Sequence, residues 1–220
     1  MKVLAIDTTN TISGVCIVVD DKVVSSAEIE DKKQSEEIVI KINKVLLDAK
    51  ITLDDIDLIA VSKGPASFTS IRIGLSCAKA ISLAKSIPLI TIDSLYAIAS
   101  KFEDFSGKII VLMDAKMDEF FFAEFFCRDK ILEVTHDSKL LNINDIKYID
   151  FSNSLICGTA KNRAVKLSNK NYEKYSISNN NDEKIFDKLG FMAISLYSKK
   201  QTEQNNPLYL RNPIISTRKK

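Results

Sequence analysis

The chain contains one strand–turn–strand scheme twice, once in each half. Residues 3–19 read VLAIDTTNTISGVCIVV, and residues 109–126 read IIVLMDAKMDEFFFAEFF. In each segment an apolar run ends on an aspartate, Asp7 or Asp114, and a short turn leads into a second apolar strand. This repetition of architecture predicts two lobes of related fold, each built around a hairpin whose first strand ends in a carboxylate.

The segments around the hairpins alternate strands with helices and predict an α/β protein. In the first half we expect helices at about 34–49, 70–85 and from Ser94, with the strands DLIAVS and PLITID between them. In the second half KILEVT and SLIC predict strands, and helices are expected at about 159–167 and 187–199. Gly107 precedes the second hairpin, so the expected division is a first lobe of residues 1–106 and a smaller second lobe of residues 107–220 with an irregular tail.

Composition narrows the class of protein. Of the 220 residues 45% are hydrophobic, which is ordinary for a folded protein. The net charge is only +2, so the overall charge does not indicate binding to nucleic acid or to a membrane. The four cysteines form no CxxC pair, and no apolar run reaches the roughly 18 residues of a membrane span. Asp7 also interrupts the apolar run that a signal peptide would need. These features predict a cytoplasmic protein without a membrane segment.

The loop SKGPASFTSIRIG, residues 62–74, follows a strand and opens a helix. Gly64 and Pro65 favour a tight turn, and either Ser67 or Thr69 is suited to cap the helix. A helix N-terminus and polar turns attract phosphate, although this loop is neither a P-loop nor a dinucleotide fingerprint. The expected remnant of a nucleotide or phosphate site is therefore Asp7, Thr8, Thr9, Gly64, Ser67, Thr69 and Asp114; the alternative for each is a capped turn.

The helix after this loop carries small residues at every fourth position: Ser70, Gly74, Ala78 and Ser82. A ridge without bulky side chains lets another helix approach closely. The other helix can belong to the same chain, to a second copy or to a partner protein, and the spacing alone leaves these alternatives open.

His136 is the only histidine of the chain and lies in the loop-like stretch THDSK. A zinc or iron site with two imidazole ligands is therefore impossible, and no metal site is expected. A Ser/His/Asp triad has no support in the sequence either.

These segments together resemble the TsaB (YeaZ) family. The resemblance rests on LAIDTT, on the long block from Ser35 to Ser100, on MDAKMDEFFFAEF, and on PLYLR near the end. Ala66 and Ser70 stand where the family pattern GPGSFTGxRIG has glycines, Gln34 where it usually has histidine, and Lys116 where it has arginine. The resemblance implies an actin-like, sugar-kinase-like (ASKHA) fold with two lobes, each a mixed sheet flanked by helices.

The resemblance also implies a role. The chain is expected to be a non-catalytic scaffold or activator subunit in tRNA threonylcarbamoyladenosine (t6A) synthesis. Its expected partners are a TsaD-like catalytic subunit and a TsaE-like ATPase, with a homodimer when alone and tRNA contacted only through the complex. No cofactor of its own is expected, and ATP or ADP would act at the level of the complex. Pairing through the first-lobe helices would involve the small-residue ridge together with Ile38 and Ile42.

Two other functions are considered. An ATP-dependent phosphotransferase or ATPase would use the paired hairpins, but the second lobe lacks a doubled-glycine adenosine clamp. A metallopeptidase has no mechanism without paired histidines.

Overall fold

The two hairpins lie at the centres of two sheets that share one strand order. The computed structural model describes residues 1–30, 32–168, 174–179, 184–200 and 206–210. In this part of the chain the first sheet contains β1 (Lys2–Asp7), β2 (Ser13–Val19), β3 (Lys22–Ile29), β4 (Leu58–Ser62) and β5 (Leu89–Ile92). The second contains β6 (Gly107–Lys116), β7 (Glu119–Arg128), β8 (Ile131–Asn142), β9 (Ser154–Cys157) and β10 (Ser176–Ile177).

Both sheets are mixed and have the same topology. The orders are β3-β2-β1-β4-β5 and, read from the matching edge, β8-β7-β6-β9-β10. In each sheet the first three strands in sequence pair antiparallel, and the last two run parallel to the first. The repeated scheme in the sequence therefore corresponds to a repeated fold.

Five α-helices occur in the described residues: α1 (Gln34–Asp48), α2 (Phe68–Lys85), α3 (Ser94–Ala99), α4 (Lys161–Ser168) and α5 (Phe186–Ser198). Short 3-10 turns cover Leu53–Asp55, Ser100–Phe102 and Ile143–Tyr148. No helix among these residues is long and apolar enough to cross a bilayer.

Alternate residues of β1 face two different cores. Leu4 and Ile6 pack with residues of α1 and α2, such as Ile42. Val3 and Ala5 face the other way and pack with the apolar side of α5. The first sheet is thus covered on both faces, which explains why its central strands are apolar at consecutive positions.

The helix α5 returns from the end of the second half to the first sheet. Its residues Phe186, Leu189 and Ala193 share a core cluster with strands of both sheets. A Cβ on Gly190 would lie 2.5 Å from a methyl carbon of Val18, so glycine permits this close packing. The second sheet begins at Gly107, but α5, which the predicted division places in the second lobe, packs on the first sheet.

The second sheet is also covered on both sides. Ile109 and Val111 belong to the core between the sheets, while Ile110 and Leu112 pack under α4 and the nearby 3-10 turn. The prediction of a loop at THDSK was wrong, because His136 lies within β8. This strand is at the edge of its sheet and largely exposed, so polar side chains are compatible with it.

Candidate functional site

Asp7 lies at the end of β1 inside a closed cluster of hydrogen bonds. Its Oδ1 accepts from the Thr9 amide at 2.8 Å, the Thr9 hydroxyl at 2.6 Å and the Ser62 hydroxyl at 2.6 Å. Its Oδ2 accepts from the Asn10 amide at 3.3 Å. The Thr9 hydroxyl also lies 2.8 Å from the hydroxyl of Ser94 at the start of α3. The cluster joins the hairpin turn to the end of β4, through Ser62, and to the start of α3, through Ser94.

This enclosure changes the chemistry of the carboxyl group. Burial raises the pKa of Asp7 above its ordinary value of 3.8, although hydrogen bonds from Ser62, Thr9 and Asn10 act in the opposite direction. In the described part of the chain, the Asn10 Oδ1 is buried without a hydrogen-bond partner. A proton on Asp7 would supply a donor for that oxygen once the Asn10 amide rotates by a half-turn.

Thr8 faces the other way and ties the same turn to α2. Its hydroxyl donates to the Ser70 carbonyl at 2.6 Å. A Cβ on Gly74 would lie 2.5 Å from the Thr8 hydroxyl oxygen, so the glycine makes room for this contact. Asp7, Thr8 and Thr9 are 0%, 1% and 7% exposed. These three residues of the predicted phosphate site therefore lie inside the protein, whereas Ser67 and Thr69 are exposed at the start of α2. The phosphate site as a whole stays a prediction.

The loop after β4 forms a capped helix start. Gly64 has φ +99°, in the region that favours glycine. The Ser67 hydroxyl accepts from the Ser70 amide at 3.1 Å and is the N-cap of α2. Thr69, the other capping candidate, lies exposed in the first turn.

Residues 206–210, called here the strap, lie against this loop. The Leu208 amide donates to the Lys63 carbonyl at 2.8 Å. The Tyr209 ring lies 4.9 Å from the Phe68 ring, and its hydroxyl accepts from the Arg72 Nε at 3.1 Å. The Arg72 guanidinium itself lies 3.6 Å above the Phe68 ring. The loop thus contacts the strap, a later segment of the same chain. The sequence marks the segment PLYLR as part of the family resemblance but does not predict this contact.

Asp114, the counterpart of Asp7, has a separate set of partners. Its carboxylate accepts from the Lys116 amide at 2.9 Å and pairs with the Lys116 ammonium at 3.0 Å and Arg163 at 3.3 Å. Its amide donates to the Thr159 hydroxyl at 3.0 Å. Partial burial acts to raise the pKa of Asp114, but these hydrogen bonds and positive charges lower it below 3.8. The two hairpin carboxylates therefore differ: one is buried among neutral donors and the other is ion-paired.

The small-residue ridge faces the inside of the chain. Gly74 and Ala78 are buried, and Ile38 and Ile42 are each 3% exposed within the core under the first sheet. The Ser82 hydroxyl donates to the Ile87 carbonyl at 2.6 Å. Gly74, Ala78, Ile38 and Ile42 therefore pack within this chain, while Ser70 and Ser82 are partly exposed. An interface formed by the ridge stays a prediction.

Away from the buried core, α1 and α2 carry large apolar side chains that are exposed. We call these residues the α1–α2 face: Val39, Ile40 and Leu47 on α1, with Leu83 on α2. These side chains are 57%, 64%, 76% and 82% exposed. The sequence held a signal for this face, because Ile40 and Leu47 repeat at a spacing of seven on the side of α1 away from Ile38 and Ile42. Among the described residues, no cluster of three or more His, Cys, Asp or Glu residues could hold a metal ion.

Comparison with known proteins gives the family. The family model described as TsaD, tRNA N6-adenosine threonylcarbamoyltransferase, matches residues 22–179. The TsaB protein of Buchnera aphidicola subsp. Schizaphis graminum is 34% identical over 148 residues, which cover 66% of this chain and 70% of that protein. The TsaB protein of Bacillus subtilis is 30% identical over 134 residues, which cover 60% of this chain and 58% of that protein. The match to that second relative thus spans little more than half of its length.

Solved structures agree on the fold. YeaZ from Pseudomonas aeruginosa superposes with a TM-score of 0.78 at 18% identity, covering 95% of this chain and 99% of that one. A ROK hexokinase from Thermus thermophilus has a TM-score of 0.56 at 9% identity and covers 90% of this chain and 100% of that one. The expected actin-like, sugar-kinase-like fold is confirmed. With the matches in sequence and in fold, the chain belongs to the TsaB (YeaZ) family.

Proposed function

We propose that this chain acts in the biosynthesis of tRNA threonylcarbamoyladenosine as a non-catalytic subunit that binds and activates a TsaD-like catalytic subunit. The observation that carries the proposal is the α1–α2 face, a set of large apolar side chains exposed on neighbouring helices of a TsaB-family chain. Exposed apolar patches of this kind mark protein-protein contacts.

The TsaD relatives explain why this face suits such a partner. A tRNA N6-adenosine threonylcarbamoyltransferase of Brachyspira hyodysenteriae is 35% identical over 114 residues, which cover 44% of this chain. A partner that shares part of this fold presents a related helix pair, so two such faces can meet around an approximate two-fold axis. The same geometry allows a homodimer when the chain is alone. A TsaE-like ATPase, and ATP or ADP in the complex, remain predictions from the family.

The arrangement around Asp7 and Asp114 supports a role without catalysis. Asp7 is fully buried and accepts four hydrogen bonds, and Asp114 is paired with Lys116 and Arg163. Burial of Asp7 raises its pKa and so favours its neutral form, and the charge of Asp114 is balanced by two cations, so both groups are poorly suited to hold a metal ion beside a phosphate. The alternative, an ATP-dependent phosphotransferase, draws its support from the fold shared with the hexokinase.

The test combines association and activity. The chain is co-purified with the TsaD-like subunit of the same organism, and t6A formation is measured with and without it. Leu47→Glu and Leu83→Glu should each weaken association about tenfold or more, since each places a charge in an apolar contact. Ile131→Glu, at a residue 64% exposed on the second lobe, is the matched control.

Two results would contradict the proposal. One is t6A formation at the full rate without this chain. The other is unchanged association in both leucine variants, which would move the contact to another surface. ATP turnover by the isolated chain would favour the phosphotransferase instead.

A further inference from the structure

The side of α2 that carries Leu83 continues to the start of that helix. Arg72 lies eleven residues before Leu83, and Phe68 lies four residues before Arg72. Both spacings are close to whole turns of an α-helix, so the three side chains lie along one side of α2. Leu83 is 82% exposed and belongs to the α1–α2 face. With its ring open to solvent, Phe68 would extend that face along the helix by about 22 Å, at about 1.5 Å per residue.

The strap covers this end of α2. The Tyr209 ring lies 4.9 Å from the Phe68 ring, and the Arg72 Nε donates to the Tyr209 hydroxyl at 3.1 Å. The Arg72 guanidinium lies 3.6 Å from the centre of the Phe68 ring. Phe68 is therefore half-buried although it lies in the first turn of a surface helix. Without the strap, one side of this aromatic ring would be open to solvent.

The strap can leave α2 without unfolding either lobe. It has irregular backbone, and Asn206 and Tyr209 are exposed. The Leu208 amide donates to the Lys63 carbonyl, and Leu210 packs at the border of the core between the lobes. An irregular surface segment of this kind opens at a smaller cost in free energy than the strands of the central sheets.

The contact made by Tyr209 also shows what the uncovered surface can bind. The Tyr209 ring is tilted by 33° against the Phe68 ring, and its hydroxyl oxygen accepts from Arg72. Phe68 and Arg72 therefore accommodate an aromatic side chain that carries a hydrogen-bond acceptor. Tyrosine side chains of this kind are frequent anchors in protein interfaces, because one end is apolar and the other is polar.

We propose that the strap is an intramolecular cover on one end of the partner surface. The TsaD-like subunit displaces Tyr209 and places an aromatic side chain of its own against Phe68 and Arg72. This role rests on the proposed function, because it requires that the subunit binds the α1–α2 face. Since the strap must open before the full surface is available, it lowers the apparent affinity by the fraction of chains in which it is open.

Tyr209→Ala tests the cover. This variant removes the ring contact and the hydrogen bond of the strap, so a larger fraction of chains is open. Its dissociation constant for the TsaD-like subunit, measured by calorimetric titration, should fall about fivefold or more. Tyr148→Ala, at a tyrosine 73% exposed on the second lobe, is the matched control and should leave the constant unchanged. Adding Phe68→Ala to Tyr209→Ala should abolish the gain, because the partner then loses the ring that it contacts.

Hydrogen exchange reports the position of the strap in the unchanged chain. The Leu208 amide should be protected in the free chain and should lose protection in the complex. The proposal is overturned if Tyr209→Ala binds no more tightly than the unchanged chain, or if the Leu208 amide stays protected in the complex.

Failure of the proposed function gives a different result. In that case the unchanged chain does not associate with the TsaD-like subunit, or Leu47→Glu and Leu83→Glu both leave the association unchanged. The role of the strap as a cover is then refuted together with the α1–α2 face.

Discussion

Among single residues, Asp7 combines burial, hydrogen bonding and a titratable charge. A carboxyl group enclosed in this way is stabilised by its donors but loses the solvation of its ionised form. The raised pKa means that the folded state keeps the proton at pH values where the unfolded chain has released it. This group's contribution to stability is therefore fully present below about 3.8 and declines as pH rises through the folded pKa.

Replacing Asp7 with asparagine should remove this decline. The amide has the same shape, carries no charge, and can donate to the unpartnered Asn10 oxygen. With rising pH, Asp7→Asn should gain stability relative to the unchanged chain by about 1.4 kcal/mol for each unit of pKa shift. Urea unfolding between about pH 4 and pH 8 measures the difference. Asp145→Asn, at an exposed site, is the control, and equal pH dependence in all three chains would refute the prediction.

The sequence predicted some residue roles and missed others for a physical reason. Ser67 was identified as a possible cap because capping depends on local geometry alone. The direction of the small-residue ridge could not be predicted, since α2 has small residues on its buried side, at Gly74 and Ala78, and also on its exposed side, at Ser76 and Ala80. Helical spacing identifies a face but does not tell which face is inside.

At the scale of elements, the strap is an irregular segment that fixes the start of α2. The ring of Tyr209 in the strap contacts the Phe68 ring and lies 6.0 Å from the Arg72 guanidinium, and its hydroxyl accepts a hydrogen bond from Arg72. The sequence predicts only an irregular tail, because the long-range contacts of such a segment leave no periodic pattern.

Tyr209→Ala should release the strap. We expect a loss of about 1–2 kcal/mol in the free energy of unfolding, from the ring contact and the hydrogen bond together. Hydrogen exchange at the Leu208 amide should become faster, because that amide donates to Lys63 only while the strap is bound. Tyr209→Phe keeps the ring and should lose about half as much. Unchanged exchange in Tyr209→Ala would show that the strap is held elsewhere.

The regular elements were easier to predict than the strap. Helix α1 was expected at about 34–49 and covers Gln34–Asp48, and the start of α5 was expected within one residue of Phe186. Strand β8 extends to Asn142, well beyond KILEVT. The extension was missed because exposed edge strands with register shifts lack a regular alternation of apolar residues.

For the whole molecule, the covering of the first sheet by α5 makes the two halves interdependent. Val3, Ala5 and Val18 share a core with α5. The equal topology of the two sheets could be predicted from the repeated hairpin scheme. The position of α5 could not be predicted, because the apolar side of a helix can pack on either sheet and the sequence does not tell which.

A chain of residues 1–106 alone should therefore not unfold cooperatively, because one face of its sheet would be exposed. Joining residues 184–200 to it through a flexible linker should restore a cooperative transition in urea, followed by circular dichroism. The same linker without the helix is the control. A cooperative transition in residues 1–106 alone would mean that α5 is dispensable for the first sheet.

The return of α5 to the first sheet also bears on the order in which the chain can fold on the ribosome. Strands β1 to β5 are synthesised early, but the helix that covers one of their faces is complete only at Ser198. One apolar face of the first sheet therefore stays exposed while the second sheet is synthesised. A nascent chain in this state is prone to aggregate. This makes the first-made half of the chain a natural client for chaperones that bind emerging apolar segments.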